Sequence, residues 1–335
     1  MIEYILWDVL MYCKAFQNHL CFSVDGKIKP CCRFQENNFE KMKNGWYIGC
    51  QKCYDEEKLG IESYRQYLDK LLSGEKGLEY IEFSISNNCN LYCRMCNSTN
   101  SSMWYNVIKN NKEIKNFHDL YLNKSLSVKE IFDRDISKLK RIKYLGGEPF
   151  ITKEITELLD ILEDRNVIKN MTFWTNTNVT VFPKKIISRL NKFKEVIVAL
   201  SIDGIGLLND YIRSGSNWKN IENNIKKWKT TKFKVYVHTT VQAYNIHALD
   251  LIKNFCEKND LYFHCSQLIS PDYLNVNSLN QKYINSIETP LNKPYIKNFI
   301  YNKDSNKKLI EYTSMMDNIT NSNILEINPL WIKNI

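Results

Sequence analysis

The sequence contains no long apolar run. Nowhere do about 18 uncharged hydrophobic residues follow one another, as a membrane-spanning helix would need. The first residues carry Glu3 and Asp8, where a secretory signal would have a basic stretch and then an unbroken apolar one. We also find no internal repeat and no Ser/His/Asp set with supporting context. These absences predict a cytoplasmic protein that contacts no membrane and is not a serine hydrolase.

The charge balance is only mildly basic. Lys and Arg number 46 against 37 Asp and Glu, giving +9, and hydrophobic residues make up 44% of the 335. The positive excess is spread as single lysines through amphipathic stretches such as 220–234, which is typical of solvated helix faces. We therefore expect a folded protein with a real core and no nucleic-acid partner.

Cysteine, by contrast, is abundant and clustered. Of eleven cysteines, six fall within residues 13–53 and three within residues 89–96. In a cytosolic chain such clustering indicates metal or redox chemistry more than disulfides. The cysteines therefore predict two separate sites.

From about residue 80, apolar strand-like runs alternate with longer helical patterns. The runs are 81–86, 142–147, 171–176, 195–203, 233–242 and 261–269, and the helical segments include about 152–166, 183–193, 217–229 and 246–258. Residues 216–218 and 244–247 offer Ser or Asn helix caps. Six strands separated by helices predict an α/β fold with a parallel sheet, and both a partial barrel and a doubly wound sheet fit.

Cys89, Cys93 and Cys96 follow the first of these strands, at the carboxyl end of the sheet, where α/β active sites gather. Three thiolates bind three irons of a cubane and leave the fourth iron open to an external ligand. A structural zinc would need a fourth protein ligand, and the nearest downstream histidine, His118, lies more than twenty residues past the loop. The spacing therefore favours an iron–sulfur cluster over zinc.

This CxxxCxxC loop resembles the signature of the radical S-adenosylmethionine (SAM) superfamily, over residues 80–270. The resemblance implies a partial (β/α)6 TIM-like barrel in which SAM binds the open iron of a [4Fe-4S] cluster. It also implies that an electron from the cluster cleaves SAM to methionine and a 5'-deoxyadenosyl radical, which abstracts a substrate hydrogen.

Further elements match the superfamily in order and spacing. The GGEP element at 146–149 implies a hydrogen bond from the SAM ammonium to a carboxylate, and 175–177 implies contact with the SAM ribose. The SxDG element at 201–204 and the arginine after it imply binding of the SAM carboxylate, and 239–242 implies packing against adenine. The residues so assigned to SAM are Met95, Gly146, Gly147, Glu148, Asn176, Ser201, Asp203, Arg213 and Val241.

The N-terminal cysteines resemble the auxiliary-cluster module of twitch and SPASM radical SAM proteins, whose pattern includes DGxxxPC and a later CxxC. Here the module precedes the barrel, as in a twitch-type subgroup. The predicted ligands of an auxiliary [4Fe-4S] cluster are Cys13, Cys31, Cys50 and Cys53, with Cys32 or Cys21 as alternates. Zinc stays open here, since four cysteines with a CxxC half also suit a zinc ribbon.

These patterns predict three regions: a cysteine-rich module (1–75), a radical SAM partial barrel (76–270) and a helical C-terminal extension (271–335). Within the module we expect short strands at 19–24 and 27–30 around a turn at Asp25-Gly26, and then one helix around residues 56–72. The expected protein is a radical SAM enzyme acting on a small molecule or a peptide, with an electron donor such as flavodoxin or ferredoxin. Whether it oxidises, epimerises or forms a bond is not decided by these motifs. We see no winged-helix-like segment before Cys13, which favours a small molecule or an untagged peptide.

Two alternatives compete with this interpretation. A non-catalytic iron–sulfur or zinc protein that binds a partner would explain the cysteines, but not Glu148, Asn176 and Arg213 together. Radical methyl transfer would need a methyl-accepting cysteine, for which Cys265 is a weak candidate. His264 and Cys265 alternate on the last strand, so one of them is expected at the barrel mouth.

Overall fold

The computed structural model describes residues 13–24, 26–35, 40, 45–120, 127–297 and 299–334. The strands are β1 (His19–Phe22), β2 (Ile28–Lys29), β3 (Tyr80–Ser84), β4 (Arg141–Leu145), β5 (Thr172–Thr177), β6 (Glu195–Ser201), β7 (Lys234–Val241) and β8 (Tyr262–Gln267). The α-helices are α1 (Ala15–Asn18), α2 (Gln51–Lys58), α3 (Tyr64–Leu71), α4 (Met103–Asn110), α5 (Val128–Phe132), α6 (Glu154–Asp164), α7 (Lys184–Leu190), α8 (Leu207–Ile212), α9 (Trp218–Lys229), α10 (Leu249–Lys258), α11 (Gln281–Ile287), α12 (Lys293–Ile296), α13 (Lys303–Thr320) and α14 (Ile324–Ile327). Short 3-10 helices span Ile48–Cys50, Lys112–Asn116, Pro149–Ile151, Ile168–Asn170, Ile246–Ala248, Asp272–Leu274, Val276–Ser278 and Pro329–Lys333.

All eight strands form one sheet in the order β2-β1-β3-β4-β5-β6-β7-β8. Among the strands that the described residues form, only the β1–β2 pair is antiparallel. From β3 to β8 the spatial order follows the chain order, so every crossover advances one strand in the same direction. A doubly wound sheet would reverse direction at a switch point. The six predicted strands and the partial barrel are thus confirmed, with β2 and β8 as its open edges.

The two faces of the sheet differ in composition because successive side chains of a strand point to opposite sides. One face is covered by helices and forms the core, with Ile81, Phe83, Ile142 and Phe173 fully buried. The opposite face, here called the inner face, carries polar and aromatic side chains. It includes Glu82, Lys143, Trp174, Asn176, Ser201, Tyr236, His238 and His264.

The N-terminal segment joins this sheet at its edge. The expected strands in 19–24 and 27–30 are β1 and β2, while Asp25 of the expected turn lies outside the described residues. The single helix expected around residues 56–72 is wrong: two helices, α2 and α3, occupy this stretch. The chain turns at Gly60, which has a φ of +71°, and restarts at Ser63, which forms a capping box with Gln66.

The two expected asparagine caps have different outcomes. Asn217 caps α9, since its side chain accepts a hydrogen bond from the backbone of Asn220. Asn245 makes no such cap. Its Oδ1 instead accepts from the backbone N–H of Gln242 at 2.8 Å, and its Nδ2 donates to the carbonyl of Asp203 at 3.1 Å. The residue therefore ties the loop after β7 to the loop after β6.

The chain beyond residue 271 is helical. The longest element is α13, and its Leu309, Tyr312 and Met316 are fully buried in the same core as the sheet. Among the helices of the described ranges, none has the length and apolar character needed to cross a membrane.

A buried leucine on α6 provides a test of how much the helices that cover the sheet contribute to stability. Leu158 is fully buried on α6, whereas Leu207 on α8 is 71% exposed. We expect Leu158→Ala to lower the free energy of unfolding by about 2–5 kcal/mol, because a buried cavity results. Leu207→Ala is the control and should change it by about 0.5 kcal/mol or less. Urea denaturation of the metal-free protein measures both, and equal effects would contradict this burial.

Candidate functional site

The loop that carries Cys89, Cys93 and Cys96 runs from the end of β3 to α4. Its backbone is bound to the segment after α8: Tyr92 N–H donates to the Ser214 carbonyl at 3.0 Å, and Arg94 N–H donates to the Ile212 carbonyl at 2.8 Å. These two hydrogen bonds flank Arg213 in the chain. They bring its guanidinium close enough to favour the thiolate forms of Cys93 and Cys96.

Burial is the largest influence on the pKa values of the three thiols in this loop. Desolvation raises the pKa of all three, that of Cys96 to about 12, while the Arg213 charge acts in the opposite direction on Cys93 and Cys96. Because iron is bound by thiolates, uptake of metal here must release protons. Within the described part of the chain, no three His, Cys, Asp or Glu side chains already stand in metal-binding geometry. The thiols share one neighbourhood, and the donor set fits three irons of a cubane.

The two glycines of the GGEP element lie directly against the start of this loop. Both have positive φ, +107° at Gly146 and +22° at Gly147. A Cβ on Gly147 would overlap the carbonyl oxygen of Asn88, and the same carbonyl accepts a hydrogen bond from the Glu148 N–H at 2.8 Å. Glycine is needed because the two loops touch backbone to backbone.

Glu148 is fully buried and accepts three hydrogen bonds. Its donors are the Thr177 hydroxyl at 2.9 Å, the Asn178 N–H at 2.6 Å and the Phe150 N–H at 3.2 Å. Desolvation is nevertheless the largest influence and raises the pKa of Glu148 to about 7. A nearby cation would therefore stabilise its charged form, which fits a ligand ammonium group.

Arg213 forms a buried ion pair with Asp203, at 2.7 Å between Nη2 and Oδ2. The other oxygen of Asp203 accepts from the Thr240 N–H at 2.8 Å. Asp203 is thus positioned to hold Arg213 rather than to face a ligand itself. The Nε of Arg213 is buried and has no hydrogen-bond partner among the described residues. This unsatisfied donor suits an incoming carboxylate.

The other residues assigned to SAM lie in different surroundings. Asn176 and Ser201 are half-buried on the inner face, at the carboxyl ends of β5 and β6. Met95 packs partly buried against the core. Val241 is fully buried in the core, so its side chain is not open to the inner face.

The motif analysis missed Asn178. Its side chain donates to Asn90 at 2.9 Å and lies 3.9 Å from the Cys89 sulfur, and its N–H binds Glu148. The residue therefore links the cysteine loop to the glutamate. In the sequence, the only sign of this role is that Asn178 lies two residues after Asn176.

A small cavity lies in the N-terminal segment, and all four predicted auxiliary ligands line it. Its lining consists of Cys13, Cys31, Cys50 and Cys53 together with Ala15, Phe16, Trp46, Tyr47, Arg65 and Leu68. Burial raises the pKa of these four thiols, that of Cys13 and Cys50 to about 12. Four sulfur donors around one cavity suit an iron–sulfur cluster or a zinc ion.

The two alternate cysteines do not line this cavity. Cys21 is buried in β1, in register with Glu82 of β3. Cys32 is exposed and lies near Glu82 and Tyr64 instead. Cys31 and Cys32 are thus adjacent in the chain but have different neighbours.

The side chains of His264 and Cys265 lie on opposite faces of the last strand, β8. His264 lies on the inner face with its ring 5.2 Å from that of His238, whose Nε2 is 2.9 Å from the Ser266 hydroxyl. Cys265 packs against the helix-covered core and interacts with Tyr295. His118 is buried against Trp104 and is hydrogen-bonded to Tyr312.

The sequence of the chain matches a known protein family. The family model described as the radical SAM superfamily matches residues 83–255, just over half of the chain. The chain therefore belongs to the radical SAM superfamily.

Individual relatives are more distant. A cysteine-type anaerobic sulfatase-maturating enzyme of Clostridium novyi is 28% identical over 197 residues, 56% of this chain and 50% of that protein. An uncharacterised protein of Methanocaldococcus jannaschii is 28% identical over 149 residues, 43% of this chain and 44% of that protein. The chain thus spans about half the length of the curated relatives it matches.

Two solved structures are similar to the chain at low identity. Native anSMEcpe with bound AdoMet has 16% identity and a TM-score of 0.47, covering 74% of this chain and 63% of that one. Streptococcus suis SuiB bound to precursor peptide SuiA has 15% identity and a TM-score of 0.43, covering 82% and 61%.

Gly147 provides a test of the contact between the two loops. We expect Gly147→Ala to lower both the thermal stability of the metal-free protein and its iron uptake, because the added methyl group displaces Asn88 just before Cys89. Gly60→Ala is the control, since Gly60 also has positive φ but no atom lies within 4 Å of its Cβ position. It should cost only about 1–2 kcal/mol of backbone strain. Unaltered iron uptake in Gly147→Ala would contradict the contact.

Glu148 makes stability depend on pH. Its pKa in the folded protein is raised, so the folded state binds more protons than the unfolded state between pH 4.5 and 7. The free energy of unfolding should therefore fall with rising pH in this window, by up to about 1.4 kcal/mol per pH unit for one proton. In Glu148→Gln the free energy of unfolding should fall less steeply with pH, because the contribution of Glu148 is removed. Glu288 is exposed, so Glu288→Gln should keep the slope of the intact protein. Urea denaturation of the metal-free protein from pH 5 to 8 measures this, and parallel curves would contradict the shift.

Proposed function

We propose that this radical SAM enzyme holds its SAM-binding [4Fe-4S] cluster through Cys89, Cys93 and Cys96. The observation that supports this most is the pair of hydrogen bonds that lock the cysteine loop to the segment bearing Arg213. A bound cluster would supply the electron that cleaves SAM to a 5'-deoxyadenosyl radical, which removes hydrogen from a substrate.

The chain's own residues would bind and orient SAM. Glu148 accepts the ammonium group, and the orphaned Nε of Arg213 binds the carboxylate. Asn176 and Ser201 lie at neighbouring strand ends and suit the ribose hydroxyls and the carboxylate. Met95, Gly146, Gly147 and Val241 serve packing and close backbone approach, and Asp203 orients Arg213.

We further propose that Cys13, Cys31, Cys50 and Cys53 hold an auxiliary [4Fe-4S] cluster, which makes the chain twitch- or SPASM-like. The shared cavity supports this ligand set over one that uses Cys21 or Cys32. With four protein ligands the cluster would relay electrons or stabilise the module. A zinc ion on the same cysteines is the alternative.

We also propose three regions: a cysteine-rich module at 1–75, the barrel at 76–270 and a C-terminal extension at 271–335. Cys13 packs with Tyr80 at the start of β3, whereas Cys89 follows the end of β3. The strand itself spans about 13 Å at 3.3 Å per residue. The two cysteine sets thus lie toward opposite ends of one strand.

The inner face between these ends is the proposed substrate site. It offers the ring of Trp174 with the Lys143 ammonium 5.1 Å away, the Glu82–Lys143 ion pair at 3.0 Å, and the two histidines. We favour a peptide substrate, because the relative from Clostridium novyi is named a sulfatase-maturating enzyme. A small molecule is the second candidate, and flavodoxin or ferredoxin is the proposed electron donor.

Iron counting after anaerobic reconstitution, with an assay of 5'-deoxyadenosine formed from SAM and dithionite, tests both cluster proposals. We expect about eight irons per chain, since each cubane holds four. The triple variant Cys89→Ala/Cys93→Ala/Cys96→Ala should keep about four and form no 5'-deoxyadenosine. The quadruple variant with Ala at Cys13, Cys31, Cys50 and Cys53 should also keep about four, and Cys32→Ala should keep all eight.

Other outcomes discriminate between the alternatives. About four irons in the intact protein, all lost in the triple variant, would replace the auxiliary cluster by zinc or by a metal-free site. A fully loaded protein that forms no 5'-deoxyadenosine would favour a non-catalytic iron–sulfur protein that binds a partner.

A further inference from the structure

One residue inside the cysteine loop is a buried cation that the proposed function does not use. Arg94 follows Cys93 directly and is fully buried. Its Nη2 lies 2.8 Å from Asp317 Oδ1 on α13 and also reaches the hydroxyls of Thr320 at 3.1 Å and Ser322 at 3.0 Å. A buried guanidinium is tolerated only when it is paired in this way.

The same side chain also binds the segment before Arg213. Its Nε donates to the Tyr211 carbonyl at 2.9 Å, and its Cζ lies 3.7 Å from the centroid of the Tyr211 ring. Its backbone N–H donates to the Ile212 carbonyl. Arg94 therefore connects the cysteine loop, the end of α8 and α13 at one point.

The backbone of the loop is held from the same side. The Tyr312 hydroxyl of α13 donates to the Arg94 carbonyl at 2.7 Å, and the Trp104 indole N–H donates to the Cys93 carbonyl at 3.3 Å. Tyr312 also contacts His118, which packs on Trp104. Groups from α4 and α13 thus fix two successive carbonyls between the second and third cysteines.

We propose that Arg94 and Asp317 are positioning residues for the cluster site, so that the C-terminal helix α13 sets the geometry of the cysteine loop and of Arg213. Neither residue touches SAM or the reacting atoms. The inference rests on the proposed function, in which Cys89, Cys93 and Cys96 bind the cluster. It adds that this site is incomplete without residues more than 200 positions further along the chain.

The test compares Asp317→Asn with Glu311→Gln in the full-length protein. Glu311 lies on the same helix but forms an exposed pair with Lys307, so its variant should match the intact protein. For Asp317→Asn we expect partial loss of iron from the SAM-binding site alone, and a changed EPR spectrum and midpoint potential of the cluster that remains there. The rate of 5'-deoxyadenosine formation should fall about tenfold or more. Asp317→Glu should recover part of each property, because it restores the charge.

Two further variants keep the test decisive. Thr320→Val removes one acceptor of Arg94 without leaving a charge unpaired, so it should disturb folding less than Asp317→Asn and shift the same properties less. Arg94→Met/Asp317→Leu removes both charges. It should regain the melting temperature of the metal-free protein but not the potential of the cluster.

The outcomes separate this inference from the function on which it rests. If Asp317→Asn and Thr320→Val melt at lower temperature while the iron content, EPR spectrum and midpoint potential equal those of the intact protein, the pair is structural only and the inference is overturned. If the Cys89→Ala/Cys93→Ala/Cys96→Ala variant keeps the iron and the EPR signal of the intact protein, the proposed function itself has failed.

Discussion

Two buried guanidinium groups lie next to the cysteine loop, and the site depends on their neutralisation. Arg213 pairs with Asp203 from the loop after β6, and Arg94 pairs with Asp317 from α13. An unpaired charge in such surroundings would be expensive, so each pair fixes the distance between segments that are remote in the chain. These two ion pairs therefore constrain the shape of the loop between β3 and α4.

The same burial controls the acid–base state of the site. The three thiols of the loop and the Glu148 carboxyl are all shifted toward their neutral forms by desolvation. A positively charged ligand reverses this preference, because it stabilises thiolates and carboxylate together.

The sheet organises the remaining chemistry. Strand β3 has the Cys13 environment at its start and the Cys89 loop beyond its end, and its middle residue Glu82 faces Lys143 across the inner face. The strands alternate their side chains, so the apolar residues pack against helices on one face and the polar residues are collected on the other, where Tyr64 of α3 also donates to Glu82 at 3.4 Å.

Much of this architecture follows from local sequence. The alternation of apolar runs and helical patterns predicts the six parallel strands, and the CxxxCxxC loop and the GGEP element are identified by their resemblance to superfamily motifs. These features are local because strand period and ligand spacing act within a few residues. The break between α2 and α3 was missed, since the turn at Gly60 and the capping box at Ser63 interrupt a continuous apolar pattern.

Only the tertiary structure determines which distant groups meet. Asn245 looks like a helix cap in sequence but binds the loop of Asp203 instead. No pattern around Arg94 predicts Asp317, because ion pairs across more than 200 residues depend on how α13 packs against the barrel. In the N-terminal segment the sequence determined that enough thiols exist for a metal site, whereas packing decided that Cys31 lines the cavity and Cys32 does not, since adjacent side chains leave the backbone in different directions.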